Sequence, residues 1–139
     1  MRLERRYGID VLLPTGLLSA EEDAILRVLA GRKGKHHAVT VEEIAKETRI
    51  EARRVRQVVK HLVEEHQVPI GTSTKSPFGY YILEGDEERR EVAKGLVRRA
   101  LSILRRARAF DKSGWVRRML GQMEFEMQEG SCRRGASLH

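Results

Sequence analysis

Apolar residues along this chain fall into three regimes. Helical spacing runs from Ala24 to Val63, short β-favouring runs from Val68 to Leu83, and helical spacing again from Val92 onward. In SAEEDAILRVLAG, Ser19 and Glu22 have the spacing of a capping box, in which a hydroxyl and a carboxylate each satisfy a backbone N–H that the first helical turn leaves open. Ala24, Ile25, Val28 and Leu29 then form an apolar stripe, and Gly31 stops the helix. The basic, glycine-punctuated GRKGKHHAVT reads as a loop ending in a short extended piece at Ala38 and Val39. Thr40 and Glu43 repeat the capping-box spacing and open a short helix, VEEIAKET, with Val41, Ile44 and Ala45 inward.

A tight connection near Arg49 and Ile50 leads into EARRVRQVVKHLVEEH, which predicts a third helix from Glu51 to Glu65 with Val55, Val58, Val59, Leu62 and Val63 in one stripe. Each valine lowers helix propensity by only a few tenths of a kcal/mol, roughly, so the amphipathic pattern prevails. Val68 to Ile70 and Gly79 to Leu83 flank a segment rich in Gly, Ser, Thr and Pro, the pattern of a β-hairpin. From Asp86 a long helix is predicted, with acids first and bases last, the order that complements the helix dipole. Val92, Leu96, Val97, Ala100, Ile103, Leu104, Ala107 and Phe110 mark its apolar side. After a break at Ser113 and Gly114, Trp115, Met119, Met123 and Met127 recur every fourth residue and predict one more short helix; EGSCRRGASLH has nothing to bury and is expected to be unstructured. The expected division is an N-terminal extension over 1–18, a domain over 19–84, a helical arm over 85–128 and a tail over 129–139. The fold class is mainly α with a small β-hairpin.

Charge narrows the choice of partner. Lys and Arg total 27 against 20 Asp and Glu in 139 residues, a net charge of +7 that favours a polyanion such as nucleic acid or an anionic membrane. No apolar run is long enough to span a membrane, and the apolar part of MRLERRYGIDVLLPTG is cut by Asp10 and too short for a signal peptide, so a cytoplasmic location is expected. Cys132 is the only cysteine, which excludes an internal disulfide and cysteine-based zinc sites within one chain.

Helix, short strand, helix, tight turn, helix, hairpin is the order found in winged helix-turn-helix domains. TVEEIAKETRIEARRVRQVVKHLVEEHQVPIGTSTKSPFGYYIL resembles the biotin-repressor type of DNA-binding domain in its capping Thr40, the helix from Glu51 to Glu65, VPI at Val68 to Ile70 and GYYIL at Gly79 to Leu83. Small phage and prophage proteins that follow this pattern with an arginine-rich helix are also similar. The resemblance covers about half the chain and implies a recognition helix in the DNA major groove and a wing, Gly71 to Phe78, on the backbone. One departure stands in the turn, where Arg49 occupies a position often held by glycine.

With Val55, Val59 and Leu62 inward, a helical wheel puts Arg53, Gln57, Lys60 and Glu64 on the opposite face and Arg54, Arg56 and His61 at the flanks. Arg bonds guanine O6 and N7 together, and Gln both donates to and accepts from adenine, so Arg53 and Gln57, one turn apart, are the expected base readers. Arg54, Arg56 and Lys60 are expected on phosphates, together with Ser73, Thr74, Lys75 and Ser76 of the wing. Arg98, Arg99, Arg105, Arg106 and Arg108 form a second basic surface that either follows the DNA backbone or keeps a dimerising helix soluble. The apolar side of that helix outreaches the small domain. It is expected to meet a second chain, giving a homodimer on a palindromic site, or to fold back as a helical hairpin.

Other chemistries find little support. GTSTKS lacks the second glycine of a nucleotide-binding P-loop, since Thr74 stands before Lys75, and a strand rather than a helix follows. His36 and His37 are adjacent in a loop, and His61 and His66 are five apart on a predicted helix rather than the four that aligns two ligands, so no metal site is expected. No nucleophile elbow and no pair of acids in an apolar setting appear, so neither catalysis nor a cofactor is implied, and nothing marks a small-molecule site. The functional expectation is a double-stranded DNA-binding regulator or phage-type DNA-handling protein. The alternative is a winged-helix module that binds protein or RNA within a nucleoprotein complex.

Overall fold

The computed structural model describes Gly8, Ile9 and residues 18–135, with side chains through residue 130. The N-terminal extension 1–18 therefore lies almost wholly outside the described residues. Among the described residues five α-helices and one hairpin follow in the order α1 (Ala20–Ala30), α2 (Val41–Thr48), α3 (Ala52–Glu64), β1 (Ile70–Ser73), β2 (Gly79–Ile82), α4 (Gly85–Ala107) and α5 (Trp115–Gly135), with a short 3-10 turn (Lys35–His37) between α1 and α2. The chain divides into two compact units, with the division inside α4, after Arg90.

Both capping boxes form. The Ser19 Oγ accepts from the Glu22 N–H at 3.2 Å while the Glu22 carboxylate accepts from the Ser19 N–H at 3.2 Å, and Thr40 and Glu43 make the same exchange at 3.2 and 2.9 Å. The backbone N–H and then the hydroxyl of Thr40 donate to Glu43 and hold its carboxyl below the ordinary value. Between α2 and α3 the chain turns at Arg49, whose φ of 58° and ψ of 27° are left-handed, at the position where the sequence places a non-glycine residue. That conformation costs a residue with a Cβ about 1 kcal/mol. α3 must return at once across α1 and α2, and its buried face answers for the cost: Val55, Val58, Val59 and Leu62 pack with Ile25, Leu26, Leu29 and Ile44 in one core. Each such side chain contributes roughly 1.5–3 kcal/mol by leaving water. Val63, expected in the same stripe, lies at its exposed edge. Ile9 joins this core from the N-terminal side.

The hairpin differs from the expectation in the bounds of its strands. The Val68 N–H donates to the Leu62 carbonyl, closing the end of α3, and Pro69 has no N–H and offers only its carbonyl, to Leu83. The ladder therefore begins at Ile70 and continues through Ser73, pairing Ile70 with Ile82, Gly71 with Tyr81, Thr72 with Tyr80 and Ser73 with Gly79. The turn at the wing tip shrinks to residues 74–78, with a cis peptide between Ser76 and Pro77. The far edge of β2 is covered as well. Val39 and Tyr80 exchange both backbone hydrogen bonds at 2.8 Å, and the Ile82 N–H donates to the Arg32 carbonyl. Gly79, at φ 119°, permits this approach, because a Cβ there would overlap the Val39 carbonyl.

In the second unit, Leu101 of α4 packs with Val116 and Leu120 of α5, and Leu104, Ala107 and Met123 close around them. The long helix thus folds back as a helical hairpin, one of the two arrangements expected, but along a different seam. Leu101 was absent from the expected stripe, whereas Leu96, Val97, Ile103 and Phe110 are exposed. In α5 the buried residues step by four and then three, as a 3.6-residue period requires, while the Met row steps by four throughout and drifts off the seam; Trp115 and Met127 stand in solvent. Asp111 fixes the bend: its carboxylate accepts from the Ser113 hydroxyl at 2.6 Å, the Ser113 N–H at 3.0 Å and the Val116 N–H at 2.9 Å, and these bonds lower its pKa. α5 runs to Gly135, so a helix occupies the first part of the segment expected to be unstructured, and 136–139 lie outside the described residues.

Candidate nucleic-acid interface

α3 turns its valine and leucine face into the core, which leaves Arg53, Arg54, Arg56, Gln57 and Lys60 exposed. They do not stand in equivalent surroundings. The Arg54 Nε donates to the Glu21 carboxylate of α1 at 2.6 Å, Arg56 lies 3.7 Å from Glu42 of α2, and Lys60 lies 4.0 Å from Glu64 one turn on. Arg53 and Gln57, the two expected base readers, make no side-chain hydrogen bond or ion pair among the described residues. The acids of α1 and α2 that flank the helix were not singled out in the sequence; their place in the first turn of each helix, where the dipole favours anions, is the signal that marks them.

At the wing, Thr72, Thr74, Lys75 and Ser76 are exposed, and Phe78 beside them is 58% exposed. Ser73 departs from the expectation of an outward hydroxyl. It is buried, and its Oγ–H donates to the Lys75 carbonyl at 2.7 Å, so it shapes the turn that carries Lys75. Behind the wing, burial raises the pKa of Tyr80, against an opposing pull from Arg56. The loop between α1 and α2 adds exposed Lys33, Lys35, His36 and His37, with His37 Nδ1 2.7 Å from the Lys33 carbonyl oxygen.

The second basic set lies in the other unit. Arg98, Arg99 and Arg106 are exposed along α4, and Arg105 pairs with Glu124 of α5 at 3.1 Å. One further grouping was missed in the sequence: His61, His66 and Glu22 converge at the far end of α3. The five-residue spacing does not separate the two imidazoles, because the helix ends at Glu64 and His66 lies in the turn that follows, where the rings meet edge to face at 5.1 Å.

Among the described residues no helix is long and apolar enough to cross a membrane. No family model, curated protein or solved structure matches the chain. A three-helix bundle followed by a two-stranded antiparallel hairpin is a winged-helix-like arrangement, and that is the level at which this chain is placed.

Proposed function

We propose that this chain is a double-stranded DNA-binding protein of the winged helix-turn-helix type, similar to biotin-repressor-type domains, with α3 in the major groove and the wing on the sugar-phosphate backbone. The observation that carries the reading is the disposition of α3. One face is consumed by the core, and the other presents Arg53 and Gln57, a bidentate donor and an amide one turn apart, without acidic partners among the described residues. Arg54, Arg56 and Lys60 serve phosphates after exchanging Glu21, Glu42 and Glu64, and Lys75 serves them from the wing. A net charge of +7 supplies the sequence-independent part of the affinity. The biological setting is transcriptional regulation or phage-type DNA handling in the cytoplasm.

A homodimer through the C-terminal helices completes the proposal. Support comes from the exposed Leu96, Ile103, Phe110, Trp115 and Phe125 of the second unit, large apolar side chains left in water. The same residues support the second reading, a module that binds another protein within a nucleoprotein complex. Selection of bound duplexes from a random pool tests the first reading. The parent chain enriches a sequence motif, and the Arg53→Ala, Gln57→Ala double variant loses that motif while keeping non-specific binding. A motif unchanged in the double variant removes these two residues from base readout.

A further inference from the structure

We propose that Glu22, His61 and His66 form a binding site for a divalent transition metal, with zinc the best chemical fit. The three residues come from three segments: the first turn of α1, the last turn of α3 and the turn leading to the wing. Their ligand atoms all lie within 4.8 Å of one another. His61 Nε2 stands 3.6 Å from Glu22 Oε1, and His66 Nε2 stands 3.6 Å from Glu22 Oε2. Each separation exceeds a hydrogen bond and lies close to the edge of a zinc tetrahedron, about 3.4 Å at bond lengths of about 2.0–2.1 Å; the two run to different Glu22 oxygens, so one ion is held by both oxygens together or after a small turn of the carboxylate. Two imidazoles and a carboxylate are a zinc donor set that leaves a fourth position for water, and the 53% exposed side chain of His61 opens the site to solvent on one side. Glu22 and His66, at 12% and 17%, are largely sheltered. The Ser19 N–H donates to the Glu22 carboxylate at 3.2 Å and so orients a ligand from behind, in the manner of outer-shell support in metal sites.

The site would join the start of α1 to the end of α3, about two turns beyond Arg53 and one beyond Gln57, and fix α3 against the bundle without occupying its basic half. It stands independently of the DNA reading, since the geometry concerns the opposite end of the helix. Zinc competes with protons for its ligands, so the test belongs at mildly alkaline pH. The full chain in a Cys132→Ser background, which removes the one thiol, is stripped with chelator. It is then titrated with zinc chloride against a competing chromophoric chelator, with thermal unfolding followed in parallel. The expected result is one zinc per chain, with a thermal midpoint that rises with zinc, and a loss of affinity of about tenfold or more in both His61→Gln and His66→Gln. His36→Gln leaves both readouts unchanged. His61 is exposed, so His61→Gln tests the site without disturbing the core. Absence of zinc binding at about 100 µM, or affinity that falls by less than about tenfold in either histidine variant, overturns the proposal.

Discussion

Arg54 of α3 and Glu21 of α1 are joined by a 2.6 Å hydrogen bond between guanidinium Nε and carboxylate. The pair ties the basic start of α3 to the neighbouring helix, yet both side chains are substantially exposed, so its contribution to stability is small, about 0.2–1 kcal/mol. Its larger effect is on charge: Glu21 occupies an arginine that duplex DNA would otherwise recruit. Glu21→Ala is expected to tighten duplex binding and to steepen the salt dependence by about one phosphate contact, at little cost in folding. Anisotropy titrations at several salt concentrations check this, and a variant with weaker binding or an unchanged slope would count against Arg54 as a phosphate contact.

Arg49 carries a left-handed backbone at the turn between α2 and α3. Glycine adopts that conformation without steric cost, so Arg49→Gly is expected to gain about 0.5–1 kcal/mol in urea unfolding, even after the entropy glycine gives up on folding. A loss of stability would mean that the Arg49 side chain contributes more than its backbone costs.

At Gly79 the opposite holds. Gly79→Ala places a methyl group on the Val39 carbonyl at a φ of 119°, and the third edge of the wing must open. Destabilisation of about 2 kcal/mol or more is expected, with weaker DNA binding through the displaced wing. Urea unfolding close to the parent's would show that Val39 and Tyr80 do not hold the hairpin.

Much of the first unit is legible in the sequence, and the reasons are local. The capping boxes at Ser19 and Thr40 state where α1 and α2 begin, and the three- and four-residue steps from Val55 to Leu62 state which face of α3 is buried. The turn at Arg49 is legible as a tight connection between two amphipathic helices, but its left-handed backbone is not, because the residue is not the glycine that would mark it. Ladder register is less local: the strand begins at Ile70 because Val68 spends its N–H on Leu62, a partner that periodicity does not name. In the second unit apolar residues lie on more than one face of each helix, so several seams are compatible with the pattern, and the Leu101, Val116 and Leu120 seam is chosen by packing. The convergence of His61 and His66 escaped because a continuous helix was expected through Glu65. Pro69, and a strand starting shortly after Gln67, already require the chain to leave the helix near His66.

Acid stability follows from the capping carboxylates. Thr40 holds the carboxyl of Glu43 below its ordinary value of 4.5, and Ser113, with the Val116 and Gly114 amides, holds Asp111 below 3.8. A depressed folded-state pKa means that the carboxylate's contribution is present above the ordinary pKa and is lost as pH falls through the lower, folded value. The thermal midpoint is therefore expected to decline below about pH 4.5, and Thr40→Ala and Ser113→Ala are each expected to flatten that decline. Thermal melts from about pH 7 to about pH 3 check it, and variants that lose stability in parallel with the parent would show that other groups govern the acid limb.

Dimerisation through the second unit predicts a sedimentation coefficient for two chains at tens of micromolar. Phe110→Asp with Trp115→Asp, both on exposed positions outside the Leu101 seam, should yield monomers that remain folded. A parent chain that sediments only as monomer would contradict a dimer in this concentration range.

The central claim is duplex DNA binding by α3 and the wing. The most direct measurement is the anisotropy of a fluorescent duplex titrated with the full chain over a series of salt concentrations. The predicted result is saturable binding whose log affinity falls linearly with log salt, at about −0.9 per phosphate neutralised, with Lys75→Ala reducing the slope by about one contact. No binding to duplex at low salt would contradict it.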